Sequence, residues 1–259
     1  MARPKTEILY GFHPVCEALR ANRRVLHTVL ARRGRQGGRM ATLRQLAGPQ
    51  KINIETVDES RLTELTGHDG HQGICARVAP LPCCDLSDVI EAVEGAGRKA
   101  FFVLLDNVQD PRNLGAIIRT AYCAGVDGLV IPHDRSAGPT PLVSKASAGA
   151  LEHLPIIRVA NLVQAVQQLK KNGLWIVGLA GGADQSLYTC DLKMPLGLMI
   201  GGEEKGLRPL VKRQCDFLVS IPQARAFNSL NASVAAALAI FEARRQRLPA
   251  EQTTGGGVA

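Results

Sequence analysis

Apolar and polar residues alternate along the chain in two different ways, and the change comes near residue 80. Before it, the apolar runs are short and lie between polar stretches, at 25–30, 52–57 and 73–78. After it, longer continuous apolar runs alternate with amphipathic stretches. A strand buried on both faces reads as a continuous apolar run, so the second pattern predicts a mostly parallel sheet covered by helices.

The second pattern predicts five strands and four helices. The strands are expected at 101–105, 128–132, 174–179, 196–200 and 217–221. The helices are expected at 114–124, 162–171, 207–214 and 231–247. In the last helix Val234, Leu238 and Phe241 share one face, and the arginines near its C-terminal end complement the helix dipole.

The same break divides the chain into domains. We expect a small α/β domain over residues 1–79 and a linker over 80–97 that contains a short helix at 86–94. A larger α/β domain over 98–248 and a disordered Gly/Thr-rich tail over 249–259 complete the prediction.

Composition narrows the class of protein. The chain has 259 residues and is 46% hydrophobic, enough for a sizeable core, but only 4% aromatic, which argues against a module that reads nucleic acid by base stacking. Neither a signal peptide nor an apolar run of about 18 residues is recognised, so we expect a soluble, cytoplasmic protein without a membrane partner. The seven cysteines form no C-x-x-C pattern, and we expect reduced thiols and no metal.

The net charge of +8 is unevenly distributed. Residues 1–79 carry 13 basic and seven acidic side chains, whereas 80–259 carry 18 and 16. Between Ala18 and Ile54 there are nine Arg or Lys residues and no Asp or Glu, and the segment 32–39 combines four arginines with three glycines. A run of one sign either binds a polyanion or is a solvated face, and for the run taken alone the solvated face is the favoured interpretation.

Three polar, glycine-containing segments follow predicted strands, where ligand sites of parallel sheets lie. They are 106–115, 201–206 and 221–233. Asn113 could simply cap the helix that carries Arg119, and Ser229 or Asn231 could cap the last helix. The patterns G-x-G-x-x-G and G-x-x-x-x-G-K-[ST] are both missing, which disfavours a dinucleotide or nucleoside triphosphate site.

Taken together, the three segments resemble the SpoU, or TrmH, family of RNA 2′-O-ribose methyltransferases. The resemblance is carried by Asn113-Leu114-Gly115 with Arg119, by the G-x-E-x-x-G of 201–206, and by Ser229-Leu230-Asn231 with Ser233. Further similar positions are Lys145 with 149–152, 175–178, Tyr10-Gly11 with Val15 and 17–19, and Gln72-Gly73-Ile74. The similarity extends from the first domain to about Arg247.

The resemblance implies a fold, a cofactor and partners. The C-terminal domain would be an α/β trefoil knot with a mostly parallel sheet, and the N-terminal domain an L30e-like RNA binder. S-adenosylmethionine would be held by backbone groups of Leu179, Ala180, Gly181, Gly201, Ile221 and Leu230. The enzyme would be a homodimer with active sites near the interface.

Within the family, the chain is most similar to the subgroup that methylates a guanosine in the peptidyl-transferase-centre loop of 23S rRNA. Its partner would be 23S rRNA or the pre-ribosomal large subunit. A tRNA methyltransferase of the same family and a non-catalytic RNA-binding assembly factor are the alternatives. Arg225 stands where the subgroup usually has a small residue, and it would either contact RNA or narrow the pocket.

The resemblance also implies the polar constellation. Asn113, Arg119, Glu203 and Asn231 would be catalytic, with Ser229 in support. The family's proposed activator of the 2′-hydroxyl corresponds to Arg119, but a guanidinium is a poor base at neutral pH. We therefore expect it to clamp a phosphate, with Glu203 as an alternative proton acceptor or merely a helix cap or ion-pair partner. In an RNA enzyme the basic residues acquire a role, and we expect phosphate contacts from Arg32, Arg33, Arg35, Arg39, Lys145 and Arg225.

Overall fold

The computed structural model describes residues 6–202, 206–225 and 230–248, so the predicted tail lies outside the described residues. Within residues 6–79, four strands form one mixed sheet in the order β1-β4-β2-β3. Only β2 and β3 are parallel; β4 pairs antiparallel with both β1 and β2. The strands are β1 (Glu7–Tyr10), β2 (Leu26–Arg32), β3 (Asn53–Val57) and β4 (Ile74–Val78).

Helices cover both faces of this sheet because its strands are apolar on both sides. The helices are α1 (Phe12–Ala21), α2 (Gly38–Ala47) and α3 (Glu59–Thr66). Leu9 and Val29 pack with residues of α1 and α2 on one face, whereas Tyr10 and Leu30 pack with Leu62 of α3 on the other. The alternation of neighbouring residues between two cores is what the period of a strand dictates.

The second sheet contains seven strands within the described residues, and all of them run parallel in the order β7-β6-β5-β10-β8-β11-β9. Its strands are β5 (Phe101–Asp106), β6 (Gly128–Pro132), β7 (Ile156–Val159), β8 (Trp175–Leu179), β9 (Gln185–Ser186), β10 (Leu196–Gly201) and β11 (Phe217–Ser220). The α/β class and the covered parallel sheet are confirmed. The trefoil knot stays a prediction, since strand order does not define how the chain is threaded.

Helices lie on both faces of this sheet as well. They are α4 (Leu86–Gly95), α5 (Pro111–Ala124), α6 (Pro141–Ala146), α7 (Leu162–Lys171), α8 (Pro209–Lys212) and α9 (Ala232–Arg247). In β5 every residue is buried: Phe101, Val103 and Leu105 join the core that includes α5 and α9, and Phe102 and Leu104 join the core that includes α4 and α7. No helix in the described part of the chain is long and apolar enough to cross a membrane.

The structure corrects one predicted helix and adds two strands, and it shows which face of α9 is buried. The helix expected at 207–214 is the single turn α8, which begins at Pro209 because proline fits the first helical position. The pattern missed β7 and β9. In α9 the face with Val234, Leu238 and Phe241 is exposed, and the face with Ala236, Ala239, Ile240 and Ala243 is buried.

A buried ion pair joins the two sheets. Arg24, which follows α1, donates from Nε and Nη2 to the two carboxylate oxygens of Glu152, both at 2.9 Å. Both side chains are almost fully buried, and Ser144 Oγ donates a further 2.7 Å hydrogen bond to Glu152. The neighbouring Arg23 donates to the carbonyl oxygen of Leu154 at 2.9 Å. The smaller domain is therefore fastened to the segment that connects α6 to β7.

Candidate active site

A hollow of about 590 Å³ opens beyond the carboxyl ends of β8, β10 and β11. Its described lining carries no charged side chain. The structure brings all six residues expected to hold the cofactor to this one hollow: Leu179, Ala180, Gly181, Gly201, Ile221 and Leu230. Backbone from three separate connections meets here, which suits a ligand held by peptide groups.

The wall of the hollow is made of closely crossing backbone. A Cβ atom at Gly201 would lie 2.2 Å from the carbonyl carbon of Gly206, and one at Gly202 would lie 2.2 Å from the carbonyl oxygen of Asn107. Real Cβ atoms do not approach backbone this closely, so both positions require glycine. Gly202 N donates to Asp106 O at 2.8 Å, which joins the end of β10 to the end of β5.

Asp106, at the end of β5, holds the chain segment that follows β10. This role was not predicted from the sequence. Its carboxylate is fully buried, accepts a hydrogen bond from Arg208 N at 2.8 Å and forms a 2.7 Å ion pair with Arg208 Nε. The pair fastens the chain after Gly206 to β5. A lone aspartate at the end of an apolar run was the available signal, but its partner is 102 residues away in the sequence.

The polar residues of the first and third segments meet at the mouth of the hollow. Asn231 lies between Leu230 and Ala232, which both line the hollow, and its Nδ2 donates to Asn113 Oδ1 at 3.2 Å. Asn231 is the N-cap of α9. The expectation that Asn113 caps α5 was wrong: Asp110 does so, accepting from Arg112 N at 2.8 Å, and Pro111 begins the helix. Asn113 therefore has its side chain directed to another helix.

Among the remaining predicted catalytic residues, the structure describes only Arg119. Arg119 lies on α5 with an exposed side chain. Glu203 and Ser229 lie outside the described residues. Arg225 is described and is exposed after β11. No group of His, Cys, Asp and Glu within the described ranges is arranged to hold a metal ion.

The structure divides the predicted RNA-binding arginines into two sets. Arg32 pairs with Glu59, and Arg33 with Asp58, each at 3.2 Å and on the exposed surface. Arg35 instead donates to the carbonyl oxygen of Gln72. The Arg39 guanidinium lies 5.2 Å from the centroid of the Phe12 ring. Lys145 comes from α6 of the larger domain and lies beside Gly11 of the smaller domain.

Comparison with known proteins identifies the family. Residues 100–241 match the model of the SpoU rRNA methylase family, and residues 8–83 match the model described as RNA 2′-O ribose methyltransferase substrate binding. The chain is 39% identical over 93% of its length, and 97% of the relative's, to the 23S rRNA (guanosine-2′-O-)-methyltransferase RlmB of Xanthomonas axonopodis.

Two further similarities cover most of the chain. An "uncharacterized tRNA/rRNA methyltransferase" of Synechocystis is 42% identical over 95% of this chain, which spans 64% of that protein's length. The crystal structure of an AdoMet-bound rRNA methyltransferase from Sinorhizobium meliloti superposes with a TM-score of 0.79 at 26% identity, covering 94% of this chain and 88% of the other. The chain therefore belongs to the SpoU rRNA methylase family of RNA 2′-O-ribose methyltransferases, with the family's substrate-binding domain preceding its methylase domain.

Proposed function

We propose that the protein uses S-adenosylmethionine to methylate the 2′-oxygen of a guanosine in the peptidyl-transferase-centre loop of 23S rRNA. One observation carries the proposal: a hollow walled by glycine backbone lies directly beside the Asn113–Asn231 pair. A small-molecule methyl donor and a polar group that can orient a ribose hydroxyl would thus be neighbours. Bringing two reactants into line is the main requirement of such a displacement.

The residues of the hollow fit S-adenosylmethionine. A volume of about 590 Å³ is within the usual range for small-molecule sites. Leu179, Ile221 and Leu230 offer apolar contact for a flat base, while the backbone around Gly181 and Gly201 supplies hydrogen-bonding groups. When bound, the sulfonium supplies an activated methyl group.

The protein's own side chains would align the ribose and handle charge. The Asn113–Asn231 pair would fix the sugar beside the hollow, and Arg119 would hold the adjacent phosphate. A guanidinium does not accept a proton at neutral pH, so Arg119 acts by lowering the pKa of the 2′-hydroxyl. Glu203, in the segment that follows Gly202, is the candidate acceptor for the hydroxyl proton.

We assign RNA recognition to residues 1–79 and catalysis to residues 98–248. The excess of basic residues in the first part supports this division, as does the position of the substrate-binding match. The relative named for 23S rRNA favours rRNA over tRNA, whereas the Synechocystis relative is named for both. A tRNA substrate is therefore the second candidate.

We also propose that the enzyme is a homodimer joined through α9. Val234, Leu238 and Phe241 are 48%, 39% and 49% exposed and lie on one side of the helix, while the opposite side packs against the core. Tyr122 of α5, the helix against which α9 packs, is 46% exposed. A second copy of the same apolar stripe is the partner that matches it, as in an isologous interface.

Mapping of 2′-O-methyl groups tests the proposed reaction. Total rRNA and tRNA would be compared between cells that lack the protein, cells that regain it, and cells that regain an Asn113→Ala variant. We expect one guanosine mark in 23S rRNA to depend on the wild-type protein and to be missing with the variant. Loss of a tRNA mark with unchanged rRNA would overturn the substrate. Failure of the pure protein to bind S-adenosylmethionine in calorimetry would overturn the enzyme assignment.

A further inference from the structure

Two glycines form a corner at the edge of the first sheet, where it faces the methylase domain. Gly11 follows β1 and Gly73 precedes β4, with φ angles of +96° and +71°. Gly11 N donates to Ile74 O at 2.9 Å, so the two glycines lie side by side. Gln72 completes the corner, because its Oε1 accepts from Phe12 N at 3.4 Å. These residues belong to the two N-terminal motifs to which the catalytic proposal gives no role.

Each glycine leaves room for one cation. A Cβ atom at Gly11 would lie 2.7 Å from the Lys145 ammonium, and one at Gly73 would lie 2.6 Å from Nη1 of Arg35. Any larger residue at either position would displace the neighbouring positive charge. Lys145 comes from α6 of the methylase domain and Arg35 from the segment between β2 and α2, so the corner collects cations from both domains.

A third cation lies close to the same corner. Arg39 is positioned over the ring of Phe12, the residue whose amide is bound by Gln72. Among the described residues, Arg35, Arg39 and Lys145 form no ion pair, in contrast to Arg32 and Arg33 in the same basic segment. Burial and the nearby charges of Arg39 and Arg32 lower the pKa of Arg35, and burial lowers the pKa of Lys145. Positive charges that are crowded and partly desolvated in this way are stabilised by an anion.

We propose that Arg35, Arg39 and Lys145 form a single clamp for RNA phosphate that bridges the substrate-binding and methylase domains. The inference rests on the proposed function, since it takes RNA as the ligand, and it narrows the recognition surface to one place. The ion-paired Arg32 and Arg33 are outside the clamp.

Close packing between α6 and α5 connects the clamp to the proposed active site. Lys145 precedes Ala146, and a Cβ atom at Gly115 of α5 would lie 2.4 Å from the Cβ of Ala146. This close packing fixes the backbone that carries Lys145 relative to the helix that carries Asn113 and Arg119. On the other side, the Arg24–Glu152 ion pair fixes the first domain to the same region. A phosphate held in the clamp is therefore at a fixed distance from the catalytic residues.

A double-mutant cycle tests whether the two domains hold the same phosphate. The probe is an in vitro transcript of the 23S rRNA peptidyl-transferase region, and binding is measured at several salt concentrations. We expect Arg35→Gln and Lys145→Gln each to weaken binding about ten-fold and to reduce the salt dependence by about one counterion. The loss of affinity in the double variant should be smaller than the product of the two single losses, because both residues act on one phosphate group.

Arg61→Gln is the matched control, since it removes an arginine of the same domain that is ion-paired to Glu64 and to which no RNA contact is assigned. It should change the affinity by no more than about two-fold. The clamp is wrong if Arg61→Gln costs as much as Arg35→Gln, or if the losses of Arg35→Gln and Lys145→Gln simply multiply. If the wild-type protein neither binds nor methylates the transcript, the rRNA proposal fails instead, and the same cycle on tRNA decides the clamp. Thermal unfolding of each variant verifies that it is folded.

The lowered pKa of Lys145 gives an independent readout. A lysine whose pKa is below the ordinary value of about 10.4 loses its charge earlier as the pH rises. The RNA affinity of the wild-type protein should therefore begin to fall at a lower pH than an ordinary lysine would cause, and Lys145→Arg should remove most of that fall. An alkaline fall that is identical in wild type and Lys145→Arg would show that Lys145 does not hold the phosphate.

Discussion

At the scale of single residues, the side-chain amide of Asn231 has two roles, one performed by its oxygen and the other by its nitrogen. Its Oδ1 caps α9, accepting from Ser233 N at 2.8 Å and from Ser233 Oγ at 2.6 Å. Its Nδ2 donates to Asn113 at the mouth of the hollow. The cap stabilises the helix, whereas the bond to Asn113 orients the proposed catalytic pair. Substitutions can therefore remove one role and keep the other.

Asn231→Asp keeps the capping oxygen and removes the donor to Asn113. We expect the free energy of unfolding to change by less than about 0.5 kcal/mol, since Asp caps as well as Asn. The methylation rate should fall by roughly ten-fold to a hundred-fold, as positioning effects of this kind do. Urea unfolding and single-turnover methylation measure the two quantities.

Asn231→Ala is the comparison, because it removes both the cap and the donor. It should lose about 1 kcal/mol of stability in addition to the activity. If the Asp variant retains wild-type activity, the hydrogen bond to Asn113 has no part in catalysis.

The family resemblance predicted the six residues around the hollow, and the apolar runs predicted the strands β8, β10 and β11, at or after whose ends these residues lie. Asp106 and Arg208 were missed because their pairing depends on two strand ends that meet only in the folded sheet. The alternative role of Asn113 as a cap was wrong for a local reason: Asp110 and Pro111 begin the helix earlier.

At the scale of elements, α9 extends from the active site, at the carboxyl ends of the strands, to their amino ends. It begins at Ala232 beside the hollow and ends at Arg247, whose guanidinium donates to the carbonyl oxygens of Leu192 and Ala100, both at 3.0 Å. The same group lies 4.7 Å from the centroid of Phe101. Arg247 thus holds the far end of the helix that positions Asn231.

Replacing Arg247 by lysine should destabilise the protein by about 2–3 kcal/mol. An ammonium cannot reproduce the fork that reaches several carbonyl oxygens at once, and the carbonyl of Leu192 would lose the hydrogen bond from Arg247. Arg244→Lys, on the exposed part of the same helical turn, should have almost no effect. Thermal unfolding of the two variants compares them directly, and equal losses would exclude the proposed anchoring role.

The helices and strands that the sequence pattern revealed share one property, burial on a recognisable face. β5 and β6 are buried at every residue and were expected almost at their observed bounds. β9 has only two residues, and Arg158 interrupts the apolar run of β7, so neither strand stands out from a loop as a continuous apolar run. In α9 three alanines and Ile240 form the buried face, whereas Val234, Leu238 and Phe241 face outward, which composition by itself cannot indicate.

At the scale of the whole molecule, the Arg24–Glu152 pair determines how the domains are docked. Arg24→Ala would leave a carboxylate almost fully buried without its guanidinium, which should cost about 3–5 kcal/mol. Burial already raises the pKa of Glu152. An acid with a raised pKa in the folded state is destabilising above its ordinary pKa, so the loss should be largest at neutral pH and diminish as the pH falls.

Unfolding curves at neutral and acidic pH measure this dependence, and small-angle scattering reports whether the domains separate. Joint replacement of Arg24 and Glu152 by methionine and leucine is the control, because it removes the buried charges together and should recover most of the stability. A loss in Arg24→Ala that does not change with pH would mean that the Glu152 carboxylate is not its cause.

The proposed dimer can be tested on the exposed stripe of α9. Leu238→Glu places a charge in the centre of the proposed isologous contact and should convert the protein to a monomer in analytical ultracentrifugation. Lys171→Glu, on the exposed end of α7, is the matched control and should remain dimeric. A wild-type protein that sediments as a monomer at micromolar concentration would contradict the proposal.

The order of strands in the larger sheet has a consequence for how the molecule is made. β5 lies between β6 and β10, and the register places Phe101 opposite Leu196, 95 residues later in the chain. At about 5–20 residues per second, a ribosome needs roughly 5–20 s to produce the second of these strands after the first. During that time one edge of a strand that is buried at every residue in the folded protein lacks its neighbour, and the cofactor hollow does not exist until α9 has also emerged. Slowing translation should therefore prolong exposure of β5 and increase aggregation of the nascent chain, whereas the first domain, complete by residue 78, can fold early.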